Sequence, residues 1–225
     1  MIDTVNVIIL AAGLSRRMGN INKLLIDIDG DPMVRRTASL YRSLFSSVTV
    51  ITGFENNKVQ AALTGLDITT LFNPDFENGQ QSSVRIGLHA QYLEGEGVII
   101  ALADQPKLSS ADITDFTQQF LASDKSKVFV PYFQEQRGNP IIFPSALIEE
   151  MRKRGKTVGC RKFIQNNPEH VCKYDVSNSA FIADLDTPHD ALRLGLLVFP
   201  DGRPVLQEDL SRIKSNMIGK QNNGN

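Results

Sequence analysis

Short β-branched apolar runs alternate with longer amphipathic stretches along most of this chain. Val5–Ala12 (VNVIILAA) is short, rich in β-branched residues, apolar except for Asn6, and stops at Gly13, which predicts a buried strand. Asp31-Pro32 then predicts a helix start, with Asp as N-cap and Pro at the first position, carried by Met33–Phe45. A strand over Val48–Ile51 ends at Gly53, a helix covers Asn56–Leu63, and a third strand, Ile68–Phe72, is closed by Asn73-Pro74. Next come a helix over Ser82–Leu93, a strand over Val98–Leu102, a helix capped by Ser109 or Ser110 and running to Leu121, and a strand over Val128–Val130. Strands separated by helices mean βαβ units, hence an α/β protein with a three-layer, doubly wound, mostly parallel sheet. The near-continuous apolar character of the first and fourth runs marks central strands covered on both faces.

After about residue 135 the rhythm loosens. Short strands are expected near Pro140–Phe143 and Val171–Tyr174, helices near Ser145–Arg154 and Val158–Gln165, and a last helix after Pro188. The pattern predicts one domain over residues 1–199 and a polar tail over 200–225, a short helix plus disorder ending in KQNNGN.

Composition narrows the function classes. The chain has 225 residues, 41% hydrophobic and 22% charged, with a formal net charge of −1. Near-neutrality argues against a nucleic-acid or anionic-membrane face, so any highly charged ligand needs a local cluster. Cys160 and Cys172 are too few for a disulfide framework, and His89, His170 and His189 make no zinc pattern. The start, Met1-Ile2-Asp3, lacks the basic and apolar regions of a leader, and no run is long enough to span a bilayer. The expectation is a cytoplasmic protein.

The local cluster exists. From Thr4 to Ile26 there is no Asp or Glu, while Arg16, Arg17 and Lys23 leave a charge of +3. Small residues after a parallel strand let a ligand approach the backbone, so amides, two guanidinium forks and an ammonium could cradle a triphosphate. A surface loop of solvated cations is the other reading. The segment is neither GxxxxGK[ST] nor GxGxxG. Asp104, at the end of the fourth strand in Asp104-Gln105-Pro106, sits where open α/β sheets bind ligands. Asp184-Leu185-Asp186-Thr187-Pro188 is a second acidic segment. Two distant Asp suit Mg²⁺, although Asp186 could equally be the N-cap of the last helix. Gly79, Ser82 and Ser83 at a helix start read either as polar contacts or as ordinary capping, and Arg85 as a neighbour or a surface residue. No Ser-His-Asp or Cys-His set stands out.

Leu10-Ala11-Ala12-Gly13-Leu14-Ser15-Arg16-Arg17-Met18-Gly19, followed by Lys23, resembles the LAAGxSxRMG and Lys motif of the molybdenum cofactor nucleotidyltransferases. The likeness runs from about Val5 to Leu194. Ala12, which is Gly in the guanylyl branch, gives the form of the CTP-using branch. Three residues, Asn20-Ile21-Asn22, precede Lys23 where the commonest pattern has two ending in Pro. The resemblance implies a Rossmann-like nucleotidyltransferase fold, CTP and molybdopterin as substrates, Mg²⁺ as cofactor, and a molybdenum hydroxylase as recipient. It implies catalytic roles for Lys23, Arg17 and Asp104, and metal roles for Asp104 and Asp186, with Asp184 in reserve. Nucleotide contacts fall on Leu10, Ala11, Ala12, Gly13, Arg16, Asn73, Gly79, Ser82 and Ser83, Arg16 alternatively facing solvent. Arg137-Gly138-Asn139-Pro140 matches the RGNP segment of the cytidylyl branch and implies acceptor contact.

Gly155–Arg161 stands where relatives have a GDxGAR-like stretch, with Lys156 for the acid and Cys160 for Ala, so a surface helix start is the safer reading there. His189 reads as a helix N-terminal residue. Rival functions are transfer to another phosphorylated acceptor, a non-catalytic cofactor-binding protein, and a Rossmann oxidoreductase, the last opposed by the missing GxGxxG.

Overall fold

The first strand shows why its sequence does not alternate. In the computed structural model, which describes residues 1–18, 21–90, 95–153, 160–196 and 205, β1 (Val5–Ala11) is buried at every position. Val5, Val7, Ile9 and Ala11 face one core, Ile8 and Leu10 the other. A strand covered on both faces has no position to spare for a solvent-facing polar group.

The chain continues through β2 (Asp27–Ile28), β3 (Asp31–Pro32), α1 (Met33–Leu44), β4 (Val48–Thr52), α2 (Asn56–Ala62), β5 (Thr69–Phe72) and α3 (Gln80–Ala90). It then forms β6 (Gly97–Leu102), α4 (Ser110–Ala122), β7 (Val128–Phe133), β8 (Gln136–Arg137), β9 (Ile141–Pro144), α5 (Ser145–Lys153), α6 (Cys160–Asn166), β10 (Val171–Asp175) and α7 (Pro188–Arg193). The main sheet runs β10-β7-β9-β6-β1-β4-β5, with β8 paired to β7. β1 is parallel to β4 and β6, and β9 runs antiparallel to β6 and β7. Met33, Val34 and Tyr41 of α1 and Phe116 and Phe120 of α4 fill the first core; Val84 and Leu88 of α3 and Phe163 of α6 fill the second. The fold is therefore a three-layer, mostly parallel α/β sheet. From β1 the chain moves outward through β4 to β5, then crosses back to β6 on the other side. The carboxyl ends of β1 and β6 form the switch point at which such sheets hold ligands.

Several local expectations are corrected. Asp31 is not an N-cap: it pairs with Ile28 in a β2–β3 hairpin, and Pro32 takes the cap position without a side-chain bond. The reason is the Asp29-Gly30 turn, with φ of 56° and 98°, which suits a tight hairpin and holds residue 31 extended. Asp31 instead makes an ion pair of 3.5 Å with Arg35. α3 starts at Gln80 rather than Ser82, its expected end at Leu93 falling outside the described residues. Gly19 and Asn20, the stretch 154–159, and the tail other than Val205 lie outside them too. Val205 itself is buried, and its carbonyl accepts from the Asp27 amide at 3.1 Å. Among the described residues no helix is long and apolar enough to cross a membrane.

Candidate active site

The loop after β1 folds back on itself. Ser15 takes a left-handed φ of 51°, its carbonyl accepts from Met18 N at 2.8 Å, and its hydroxyl accepts from Lys23 N at 3.2 Å. Asn22 is buried and caps the turn Lys23–Leu25, accepting from Leu24 N at 3.1 Å. The longer loop thus ends in a cap that aims Lys23 inward. Below it, Ala12 packs so closely on Gly53 that a Cβ there would meet the Ala12 Cβ at 2.7 Å and its carbonyl at 2.9 Å. Gly13 has open space around it.

Lys23 is the centre of the charge pattern. Its ammonium donates to Asp104 Oδ2 and, at 2.8 Å, to Asp186 Oδ1, while Arg17 Nη2 lies 2.8 Å from Asp186 Oδ2. Burial disfavours the Lys23 charge, but the carboxylates of Asp104 and Asp186 outweigh it and hold the ammonium above its ordinary pKa. Arg17 is 68% exposed, so its pairing is screened by water. Asp104 lies two residues past the end of β6, and Leu185, fully buried, donates its amide to the Asp104 carbonyl at 2.9 Å, drawing Asp184 and Asp186 to the same place. Burial first, then the negative charges of Asp104 and Asp186, push Asp184 up to about 6, against Lys23 and a bond from Gln105.

The capping question at Asp186 is settled by its neighbours. Thr187 is the N-cap of α7, closing a capping box with Asp190, which leaves the Asp186 side chain for Lys23 and Arg17. His189 is an exposed residue of the first turn of α7. Among the described residues no group of three or more His, Cys, Asp or Glu stands ready to hold a metal by itself. Mg²⁺ asks for less: one or two carboxylates, completed by phosphate oxygens and water. Asp104 Oδ1 and Asp184 Oδ1 are buried without a hydrogen-bond partner, so the donor set fits such an ion.

A cavity of about 360 Å³ opens beneath the turn, within the range of small-molecule sites. Of the residues singled out from the sequence, Leu10, Ala12, Gly13, Arg16, Lys23, Gly79, Ser83 and Asp104 form its wall. Ala11 points into the first core instead. Asn73 is fully buried, donating to Ser82 Oγ at 2.8 Å and Ser83 Oγ at 2.9 Å and accepting from Asp75 N at 2.9 Å. Ser82 in turn donates to the Gly79 and Asp75 carbonyls. Both brace the α3 entrance rather than face the cavity. Arg85 is exposed, 3.8 Å from Asp75.

Leu14, Phe76, Glu77 and Gln80 also line the cavity and went unmarked in the sequence, where the only signal was the polar turn leading to Gly79. Arg137 lies on β8, but Gly138, Asn139 and Pro140 turn elsewhere. The Asn139 amide donates to the Phe181 carbonyl at 2.9 Å, and a Gly138 Cβ would stand 2.6 Å from that oxygen. None of the four lies on the cavity wall. Arg161 is exposed on α6.

A family model described as a MobA-like NTP transferase domain matches residues 7–171. The molybdenum cofactor cytidylyltransferase of Escherichia coli strain K12 is 22% identical over 189 residues, covering 84% of this chain and 94% of that protein. Nicotine blue oxidoreductase of Paenarthrobacter nicotinovorans is 24% identical over 196 residues, covering 83% and 94%. Among solved structures, Rv0371C of Mycobacterium tuberculosis in complex with manganese superposes with a TM-score of 0.67 at 21% identity, over 86% of this chain and 98% of that one.

Proposed function

The chain belongs to the MobA-like NTP transferase family, nucleotidyltransferases with a Rossmann-like sheet, and on that premise we propose that it transfers CMP from CTP to the terminal phosphate of molybdopterin or its metal-loaded form. The observation that carries this reading is Lys23, held by Asp104 and Asp186 at the edge of the cavity under the first turn. An oxygen of the acceptor phosphate attacks the α-phosphorus of CTP, the bond to the bridging oxygen breaks, and pyrophosphate leaves. The attacking phosphate is already anionic, so no general base is required.

The chain's part is positioning and charge. Gly13 opens its backbone to the cavity, and Arg16 lines it. Lys23 and Arg17 offset the negative charge that builds on the transferred and leaving phosphates. Asp104 and Asp186, with Asp184 beside them, would hold Mg²⁺, which supplies charge neutralisation at the α-phosphate when bound. The unpartnered oxygens of Asp104 and Asp184 support Asp104 and bring Asp184 forward beside Asp186, whose oxygens pair with Lys23 and Arg17, and the manganese bound by the mycobacterial neighbour supports a divalent ion. Ala12 in place of Gly and the name of the E. coli relative favour cytidylyl over guanylyl transfer. A molybdenum hydroxylase is the proposed recipient. The relative named as an oxidoreductase supplies the rival reading, hydride transfer.

The test is incubation of purified protein with labelled CTP or GTP, Mg²⁺ and molybdopterin, following pyrophosphate, beside a parallel assay of NADPH consumption. Pyrophosphate release with CTP is expected, lost when the divalent ion is chelated. No release with any nucleotide would sink the reading, a preference for GTP would remove the Ala12 argument, and NADPH oxidation alone would establish the rival.

A further inference from the structure

Gln105 stands next to Asp104 yet is 3% exposed, too deep to touch a nucleotide. Its Nε2 donates to the Phe181 carbonyl at 2.9 Å. That same Phe181 carbonyl accepts from the Asn139 amide, and Gly138 is packed against it. The Leu185 amide meanwhile donates to the Asp104 carbonyl. The segment that carries Asp184 and Asp186 is thus tied to the end of β6 at two points and buttressed from the end of β8.

We infer that Gln105 is a positioning residue, a neutral amide that holds the Phe181 carbonyl so that the second carboxylate segment is set against Asp104. The group it meets is an acceptor, and a carboxamide NH₂ donates to it without charge. Glu would present acceptors to that acceptor, Lys would bring a cation to compete with Lys23, and Met would fill the space but take away the donor. Gly138 and Asn139 complete the same joint from behind. Gln105 is not on the cavity wall, so it acts through the placement of the carboxylates and not through nucleotide binding.

The kinetic arm of the test rests on the proposed nucleotidyl transfer; the exchange arm does not. Gln105→Met and Gln105→Glu are compared with the parent by amide hydrogen exchange, by thermal melting, and by kcat and KM for CTP. Exchange at Leu185 and Asn139 is expected to quicken tenfold or more while β1 amides keep their protection. Turnover is expected to fall about 10- to 100-fold, the scale seen for groups that orient metal ligands, with KM within about twofold. Gly138→Ala, which pushes on the Phe181 carbonyl from the other side, should show the same signature. Unchanged exchange at Leu185 and Asn139, equal loss of protection at β1, or altered exchange with unaltered kcat in an active parent would each overturn the inference. A parent without transfer activity would remove the proposed function, and the exchange arm would still decide the role of Gln105.

Discussion

Lys23 does two things with one ammonium: it balances Asp104 and Asp186, and it places a positive charge at the cavity edge. Asp104→Asn keeps the shape and removes the charge, so turnover should fall by roughly 10²–10³ or more with the melting temperature little changed. Unaltered turnover in that variant would take Asp104 out of the chemistry. Tyr41 is a different case. Its ring is buried and its hydroxyl has no hydrogen-bond partner, and burial pushes its pKa above the usual range. The unfolded phenol ionises near pH 10 or so while the folded one stays neutral, so the unfolded state binds fewer protons there and stability falls as pH rises. Tyr41→Phe should stabilise the protein by about 1 kcal/mol at neutral pH and flatten that alkaline loss, as read from urea unfolding at about pH 7 and 10.5. Equal alkaline slopes for parent and variant would show that Tyr41 is not the source.

Capping joins the elements to the site. The Thr187–Asp190 box starts α7 directly after Asp186, so Thr187→Ala should cost about 1 kcal/mol in chemical denaturation and lower turnover by loosening Asp186. A variant as stable and as active as the parent would separate the cap from the site. How much of this was legible in the sequence depended on the range of the forces involved. β1 and the switch point could be read from a near-continuous apolar run and its glycine, because burial on two faces leaves its mark locally. The α1 cap could not, since Asp31-Pro32 looks like a helix start until the Asp29-Gly30 hairpin is taken into account. The cap made by Asn22 was hidden in a polar loop, and Asn73 read as a ligand contact because its true partners, Ser82 and Ser83, also read as polar contacts. The joint at Gly138 depends on Phe181, a partner that only the tertiary fold brings near.

Across the whole molecule, a net charge of −1 conceals a positive turn facing a cluster of carboxylates. Asp112 spans two parts of the fold, closing the α4 capping box with Ser109 and accepting from Asn178 at 2.8 Å. Burial is the largest single influence and works against its charge, but the bonds from Ser109 and Asn178 together prevail and hold its carboxyl below the usual range. Its contribution is therefore present above about pH 4 and is lost as pH falls through the lowered folded value. Melting followed from about pH 5 to 2.5 should decline less steeply in Asp112→Asn than in the parent, and parallel curves would assign the acid loss elsewhere. The contact of Ala12 with Gly53 has a wider consequence. A Cβ at residue 53 would stand 2.7 Å from the Ala12 methyl, 2.9 Å from the Ala12 carbonyl and 2.6 Å from the Phe76 Cβ. Trading Ala12 for Gly removes only the first of these, since the carbonyl belongs to the backbone and Phe76 stays. Residue 53 is thus confined to glycine whichever of the two stands at 12, so the first turn can vary without releasing the residue beneath it.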